Sequence, residues 1–157
     1  MGSPLHADLE PLAFLLGTWR GEGEGDYPTT SPFAYREELV LEHVGDPFLL
    51  FTQQSWMIPD HAPLHFERGI LRPGGPGRVE LALAHPLGLV EVSEGTVEGT
   101  SLDLVSRSVS RTSTGDPVVA LARSYRVEGD VLRYEIGMAT ESTPLTFHIR
   151  AELRKAL

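Results

Sequence analysis

The sequence predicts an all-β chain whose strands close into one antiparallel barrel. Short segments of alternating apolar and polar residues follow one another along almost the whole chain. Glycine, proline and aspartate separate these segments and mark tight turns. No crossover helix lies between them, which favours antiparallel neighbours in a meander.

About ten segments are expected to be strands. They are Trp19–Tyr27, Tyr35–Val44, Phe48–Met57, Leu64–Leu71, Arg78–Ala84, Leu89–Ser93, Leu102–Val109, Val118–Val127, Val131–Met138 and Leu145–Leu153. Turn-forming sequences at Pro73–Gly77 and Glu128–Asp130 connect the fourth predicted strand to the fifth and the eighth to the ninth. A barrel is favoured over a flat sheet because closure removes exposed edges, and a β-sandwich is the alternative architecture.

One short helix is expected before the first strand. Its apolar residues recur at helical spacing: Leu9, Leu12, Ala13 and Leu16. Asp8 is suited to cap its start, and Gly17 is suited to end it. A helix of about two turns is typical of a lid or plug at the end of a barrel rather than of a core element.

Length and composition limit the functional classes. The 157 residues suit a single domain over residues 1–157, and the net charge of −9 disfavours nucleic acid and anionic membranes as partners. The absence of cysteine excludes disulfides, thiolate metal sites and covalently attached c-type haem. Together with the lack of a secretory signal pattern, this composition predicts a cytoplasmic protein.

A glycine-rich segment opens the first predicted strand. Residues Gly17–Gly25 read GTWRGEGEG, so that Trp19 and four of the glycines share one face of the strand. A large indole beside small neighbours is typical of the closed base of a barrel. No Lys-Ser or Lys-Thr follows and no helix begins there, so the segment is not a phosphate-binding loop.

The histidines are the main candidates for chemistry: His6, His43, His61, His65, His85 and His148. His85 ends the apolar face of its strand immediately before a proline, and Met138 ends a similar face in the ninth strand. Polar or adaptable residues that close an apolar stripe are typical of a pocket wall. No motif of zinc proteases, serine hydrolases or nucleotide-binding loops occurs.

The orientation of His148 is left open by the alternation of the last strand. Its apolar residues fall on one face: Leu145, Phe147, Ile149, Ala151 and Leu153. His148 lies on the other face and would point outward if the apolar face points inward. A bulge after Pro144 would re-aim it, or the barrel interior is partly polar at this end.

Five segments together resemble the nitrobindin family, which is also catalogued as fatty-acid-binding-protein-like and has a calycin-like barrel. They are Gly17–Gly23 (GTWRGEG), Tyr27–Thr29 (YPT), Tyr35–Glu38 (YREE), Ala84–Val92 (AHPLGLVEV) and Pro144–Leu153 (PLTFHIRAEL). The match runs from about Leu12 to Leu153 in the expected order.

The resemblance implies a ten-stranded barrel that holds one non-covalent haem b at an open end, with His148 as the axial ligand of the iron. It further implies a haem pocket lined by Thr29, Leu64, His65, His85 and Met138. It leaves open whether His65 or His85 supplies a second iron ligand.

The function implied by the resemblance is a haem-dependent peroxynitrite isomerase that also binds nitric oxide, with no catalytic residue beyond the haem ligand. The alternative is a non-enzymatic carrier of a small hydrophobic ligand, although Arg123 and Arg126 lie on opposite faces of one strand and form no carboxylate-binding pair. A third hypothesis is a scaffold barrel with a collapsed interior. A homodimer is compatible with all three.

Overall fold

Ten antiparallel strands follow a short helix in a computed structural model that describes residues 2–157. The strands are β1 (Gly17–Tyr27), β2 (Thr30–His43), β3 (Leu49–Met57), β4 (Pro63–Pro73), β5 (Arg78–His85), β6 (Leu89–Glu98), β7 (Ser101–Arg111), β8 (Val118–Glu128), β9 (Val131–Thr140) and β10 (Thr143–Lys155). Each strand pairs with its neighbours in sequence, and β1 pairs with β10 to close the barrel. The predicted barrel is confirmed, and all ten expected strands are present.

The N-terminal helix is a 3-10 helix over Ala7–Leu15. Its buried residues are Leu9, Leu12 and Leu15, so Leu9 and Leu12 of the predicted face are confirmed, whereas Ala13 and Leu16 are only half-buried. A 3-10 helix has three residues per turn, which aligns every third residue on one side. His6 rather than Asp8 caps it, because His6 Nδ1 accepts a hydrogen bond from the backbone N–H of Asp8 at 3.1 Å. No helix within residues 2–157 is long and apolar enough to cross a membrane.

Trp19 closes the barrel end that the helix covers. Its side chain is fully buried, and the indole Nε1 donates a hydrogen bond to the Leu15 carbonyl at 2.9 Å. Leu15 lies over core residues from several strands, including Leu71 and Leu104. This end is therefore filled with apolar side chains, as the glycine-rich segment and its tryptophan predicted.

Two of the β1 glycines make room for aromatic rings inside the barrel. A Cβ atom on Gly23 would lie 2.3 Å from Cζ of Tyr35, and one on Gly25 would lie 2.2 Å from Cζ of Phe33. Both distances are far below van der Waals contact, so only glycine allows these β2 rings to lie against β1. The glycines of β1 thus allow the rings of Tyr35 and Phe33 to pack against this strand.

A β-bulge in β10 reverses which residues face the interior. Phe147 pairs with Gly137 and Ile149 pairs with Ile136, so that His148 is the extra residue between two pairs. Of the two alternatives left open for His148, the bulge is therefore the one found, and the apolar alternation of β10 faces inward only after it. Leu145 is 54% exposed, and the Phe147 ring lies outside, with the Arg150 guanidinium 5.1 Å from its centroid.

Replacing Trp19 with phenylalanine should lower the free energy of unfolding by about 2–4 kcal/mol, since it leaves a void and a buried carbonyl without its donor. Urea denaturation followed by circular dichroism measures the change. The matched control is Trp56→Phe, because Trp56 is only half-buried and stacks on His61. Equal losses in the two variants would contradict the role assigned to Trp19.

Candidate functional site

A cavity of about 280 Å³ opens at the barrel end opposite the helix. Its wall includes Leu64 and Leu87, which are 37% and 38% exposed and place apolar surface at the mouth. Leu89, Leu121 and Ile136 continue the apolar wall inward. The interior is therefore open rather than collapsed, contrary to the scaffold hypothesis.

His148 lies in the wall of this cavity. The bulge in β10 turns its imidazole inward, where the ring packs edge-on against Tyr27 and Phe33 at centroid distances of 5.2 Å and 6.3 Å. Tyr27 is itself fixed, because its hydroxyl donates a hydrogen bond to the Met138 carbonyl at 3.0 Å. The aromatic contacts hold the ring at the cavity surface.

The imidazole of His148 is kept neutral by its surroundings. Burial lowers its pKa, the backbone of Asp26 opposes that lowering, and His65 adds to it. Its Nδ1 atom is buried and makes no hydrogen bond within residues 2–157. A neutral imidazole is the form of histidine that binds metals, and His148 holds one in the cavity wall.

The other predicted pocket residues are distributed unevenly around the cavity. His65, His85, Leu64 and Met138 all belong to its wall. Thr29 lies in the exposed turn between β1 and β2, and the next residue, Thr30, contributes to the wall in its place. A role for Thr29 stays a prediction.

Two histidines meet on the wall that faces His148. β10 and β5 are five positions apart in the closed ring of ten strands, so His85 lies across the barrel from His148. The Nδ1 atom of His85 is 3.3 Å from Nε2 of His65, and its Nε2 is 3.1 Å from Oε1 of Glu91. His65 Nε2 is also 3.2 Å from Oε2 of Glu67.

A buried arginine joins these carboxylates at the floor of the cavity. The Arg123 guanidinium donates two hydrogen bonds to Glu67, at 2.8 Å and 3.0 Å, and two to Glu91, at 2.9 Å and 2.6 Å. Burial alone would raise the pKa of each carboxyl, but Arg123 outweighs it. The pKa of Glu91 falls to about 2, and that of Glu67 lies well below its usual range.

A second network of polar side chains beside this cluster contains a carboxyl whose pKa is raised rather than lowered. Glu37 accepts hydrogen bonds from the Tyr134 hydroxyl and from Gln53 Nε2, but its Oε2 has no partner among residues 2–157. Burial raises the pKa of Glu37 to about 7. The Tyr35 hydroxyl lies 2.7 Å from that of Tyr134 and extends the network towards β1.

Most of this polar floor was not predicted from the sequence. Glu37 and Glu38 lie on opposite faces of β2, with Glu37 inside and Glu38 bound to Arg20 outside. It did not predict that Glu67, Glu91 and Arg123 meet. The available signal was a charged residue at an inward position of each of three strands, Glu67 on β4, Glu91 on β6 and Arg123 on β8.

Comparison with known proteins decides the family. The model of the THAP4-like, heme-binding beta-barrel domain matches residues 8–155, nearly the whole chain. The chain belongs to this family of haem-binding barrels. The resemblance to the nitrobindin family is thereby confirmed, and haem is confirmed as the cofactor of the family fold.

Several relatives match this haem-binding barrel along its full length. A peroxynitrite isomerase 2 of Mycobacterium marinum is 46% identical, with 99% of each chain covered. A peroxynitrite isomerase of Nocardia farcinica is 44% identical over 96% of this chain and 92% of its own. The crystal structure of Rv2717c from M. tuberculosis superposes with a TM-score of 0.92 at 45% identity, covering 98% of this chain and 100% of that one.

The cavity of this haem-binding barrel fits a haem in its donor set. Three imidazoles line it: those of His65, His85 and His148. His65 and His85 are hydrogen-bonded to glutamates and to each other, whereas no such glutamate or histidine partner is found for His148 within residues 2–157. A neutral imidazole with a free lone pair is a normal axial ligand of haem iron.

Replacing Glu37 with glutamine should remove a pH-dependent loss of stability. The folded protein holds this proton up to pH about 7, whereas the unfolded chain releases it near 4.5. The folded state therefore binds more protons in that window, and stability decreases as pH rises through it, by up to about 3 kcal/mol. Glutamine keeps both hydrogen-bond partners without the titrating group.

Urea unfolding at pH 5 and pH 8 measures this effect. The stability of the wild type should fall more between the two values than that of Glu37→Gln. Glu38→Gln is the matched control on the outer face and should retain the wild-type pH dependence. Parallel pH profiles for the wild type and Glu37→Gln would show that Glu37 is already ionised at pH 5.

Proposed function

We propose that the chain binds one haem b through His148 and converts peroxynitrite to nitrate. The observation that carries the proposal is the His148 imidazole, which burial keeps neutral and which the β10 bulge turns into the wall of an open cavity. Relatives of 44–46% identity over nearly their whole length bear the name peroxynitrite isomerase, which supports the same activity here.

The residues of this chain would hold the cofactor and shape its surroundings. His148 would donate its exposed nitrogen to the iron, while Tyr27 and Phe33 fix the plane of its ring. Leu64 at the mouth and Met138 in the wall would contact the porphyrin. The bound haem supplies the iron chemistry that moves an oxygen atom within peroxynitrite.

The reaction places few further demands on the protein. Peroxynitrite and nitrate are isomers, so the conversion needs neither a reductant nor a net proton donor. The chain has to hold the haem and admit a small anion beside it. His65 and His85 are already hydrogen-bonded to Glu67 and Glu91, which supports His148 as the residue that would hold the iron.

The alternative of a carrier for a hydrophobic ligand is not favoured. A carrier of fatty acids would need a free guanidinium in the cavity to bind the carboxylate. Arg123 does point inward, but its hydrogen bonds to Glu67, Glu91 and Tyr125 occupy it. Arg126 is exposed on the outer face. Native mass spectrometry that finds an organic ligand in place of haem would support the carrier.

The spectrum of the hemin-loaded protein tests the axial ligand. Wild type should bind one hemin per chain with a sharp Soret band that shifts on addition of nitric oxide. His148→Ala should bind hemin at least about tenfold more weakly, because a metal–ligand bond is lost. His61→Ala, in the loop between β3 and β4, should match the wild type. Identical spectra and nitrosyl shifts for wild type and His148→Ala would refute the assignment.

Stopped-flow measurement of peroxynitrite decay tests the activity. The ferric hemin-loaded wild type should accelerate the decay and yield nitrate as the product. His148→Ala should return the rate to that of the same concentration of free hemin, because the iron is no longer held in the cavity. An acceleration that survives in His148→Ala, or a product that is mainly nitrite, would contradict the proposal.

Five further expectations from the sequence remain predictions. They are a single domain over residues 1–157, a cytoplasmic location, binding of nitric oxide, no binding to nucleic acid or membranes, and a homodimer. Sedimentation velocity of the purified chain measures the last of these directly.

A further inference from the structure

Three donor atoms converge on the cavity wall that faces His148. They are Nε2 of His65, Oε2 of Glu67 and Nδ1 of His85. Their separations are 3.2 Å between His65 and Glu67, 3.3 Å between His65 and His85, and 3.4 Å between His85 and Glu67. The three atoms therefore form a nearly equilateral triangle.

The size of this triangle matches one face of a zinc coordination sphere. Zinc holds imidazole nitrogen at about 2.0–2.1 Å and carboxylate oxygen at about 2.0–2.2 Å in a tetrahedron, whose ligands are then about 3.3–3.4 Å apart. An octahedral ion at about 2.1 Å, such as magnesium, requires neighbouring ligands only about 3.0 Å apart and prefers oxygen donors. The donor set of two imidazoles and one carboxylate is also that of zinc enzymes with an open fourth position.

From this geometry we infer that His65, Glu67 and His85 form a site for one divalent transition-metal ion, with zinc as the best-matched ion, separate from His148. The fourth coordination position faces the cavity, because all three residues belong to its wall. This inference does not rest on the proposed haem function.

The residues next to the three donor atoms form the hydrogen bonds that are typical around metal ligands. His85 presents Nδ1 to the triangle, while its Nε2 is 3.1 Å from the Glu91 carboxylate, which fixes the tautomer with the proton on Nε2. Metal-bound histidines nearly always donate their second N–H to such a carboxylate or carbonyl. Glu91 is in turn held by Ser93 at 2.6 Å and by Arg123.

The charge of the cluster also favours a cation. Arg123 carries one positive charge against the two carboxylates of Glu67 and Glu91, which leaves one negative charge in a buried cluster. The Glu67 oxygens that accept hydrogen bonds from Arg123 retain lone pairs, so one of them can still bind an ion. A cation bound between the three donor atoms would compensate the net negative charge of this buried cluster.

The strand register brings the three ligands together. His65 and Glu67 are two residues apart on β4 and therefore point to the same face. Arg68 pairs with Ala84, so the next position along β5 places His85 beside Glu67. The ligands come from two neighbouring rigid strands rather than from loops, which fixes their spacing before any ion binds.

The test is a zinc titration of the full chain, purified without a histidine tag and treated with a chelator. Isothermal titration calorimetry of the wild type should show one zinc ion bound per chain. His65→Gln and His85→Gln keep hydrogen-bonding capacity but lose the imidazole, and each should weaken binding by at least about 100-fold. His61→Gln and His148→Ala should bind zinc as the wild type does.

Cobalt(II) substitution provides a second measurement that needs no variant. Because the chain has no cysteine, any intense visible absorption of the cobalt protein must come from nitrogen and oxygen ligands. The wild type should show the strong bands of four-coordinate cobalt. Weak bands like those of aqueous cobalt, zinc affinity unchanged in His85→Gln, or zinc affinity lost in His148→Ala would overturn the assignment.

Discussion

The pairing of the first strand with the last is the constraint on which the rest of the molecule depends. β1 and β10 are paired from Trp19–Lys155 to Gly25–Ile149, and this seam turns a ten-stranded sheet into a closed interior. A Cβ atom on Gly21 would lie 2.2 Å from the Glu152 carbonyl, so the seam closes at this distance only because β1 is rich in glycine. Without closure both strands would be exposed edges, and the interior charges would be in water.

The polar floor inside this closed barrel is difficult to explain by stability alone. A buried arginine between two glutamates is stable because every charge has a partner, but packed apolar residues of similar volume would stabilise the interior as well or better. The remainder of the core is mainly leucine. The buried charged cluster lies where the apolar core ends and the cavity begins. This position indicates a role in ligand or ion binding rather than in folding.

The barrel could be predicted from the sequence because alternation with a period of two survives in almost every strand. The same rule could not orient His148 in β10, because one extra residue there exchanges the inner and outer faces and leaves no trace in the composition. The family resemblance, rather than periodicity, oriented His148 correctly. The helix was expected in the right place, but Leu15 was missing from its predicted face, since the period of the helix is three rather than 3.6.

The cluster of Glu67, Glu91 and Arg123 could not be predicted in the same way. Its members lie on β4, β6 and β8, and whether they meet depends on strand register and on barrel curvature. Each residue taken alone is an ordinary charged residue in a strand. The pair His65 and Glu67 was within reach, because two such residues at a spacing of two must share a face.

The helix and Trp19 plug one end of the barrel, and among residues 2–157 the cavity has its doorway at the other end. Leu64 and Leu87 lie at this doorway. A broad planar group seated in that doorway would screen the floor behind it from exchange with solvent. The sequence of events during maturation would then matter: whatever belongs at the floor has to arrive first, and its later loss would be slow for as long as the doorway is filled.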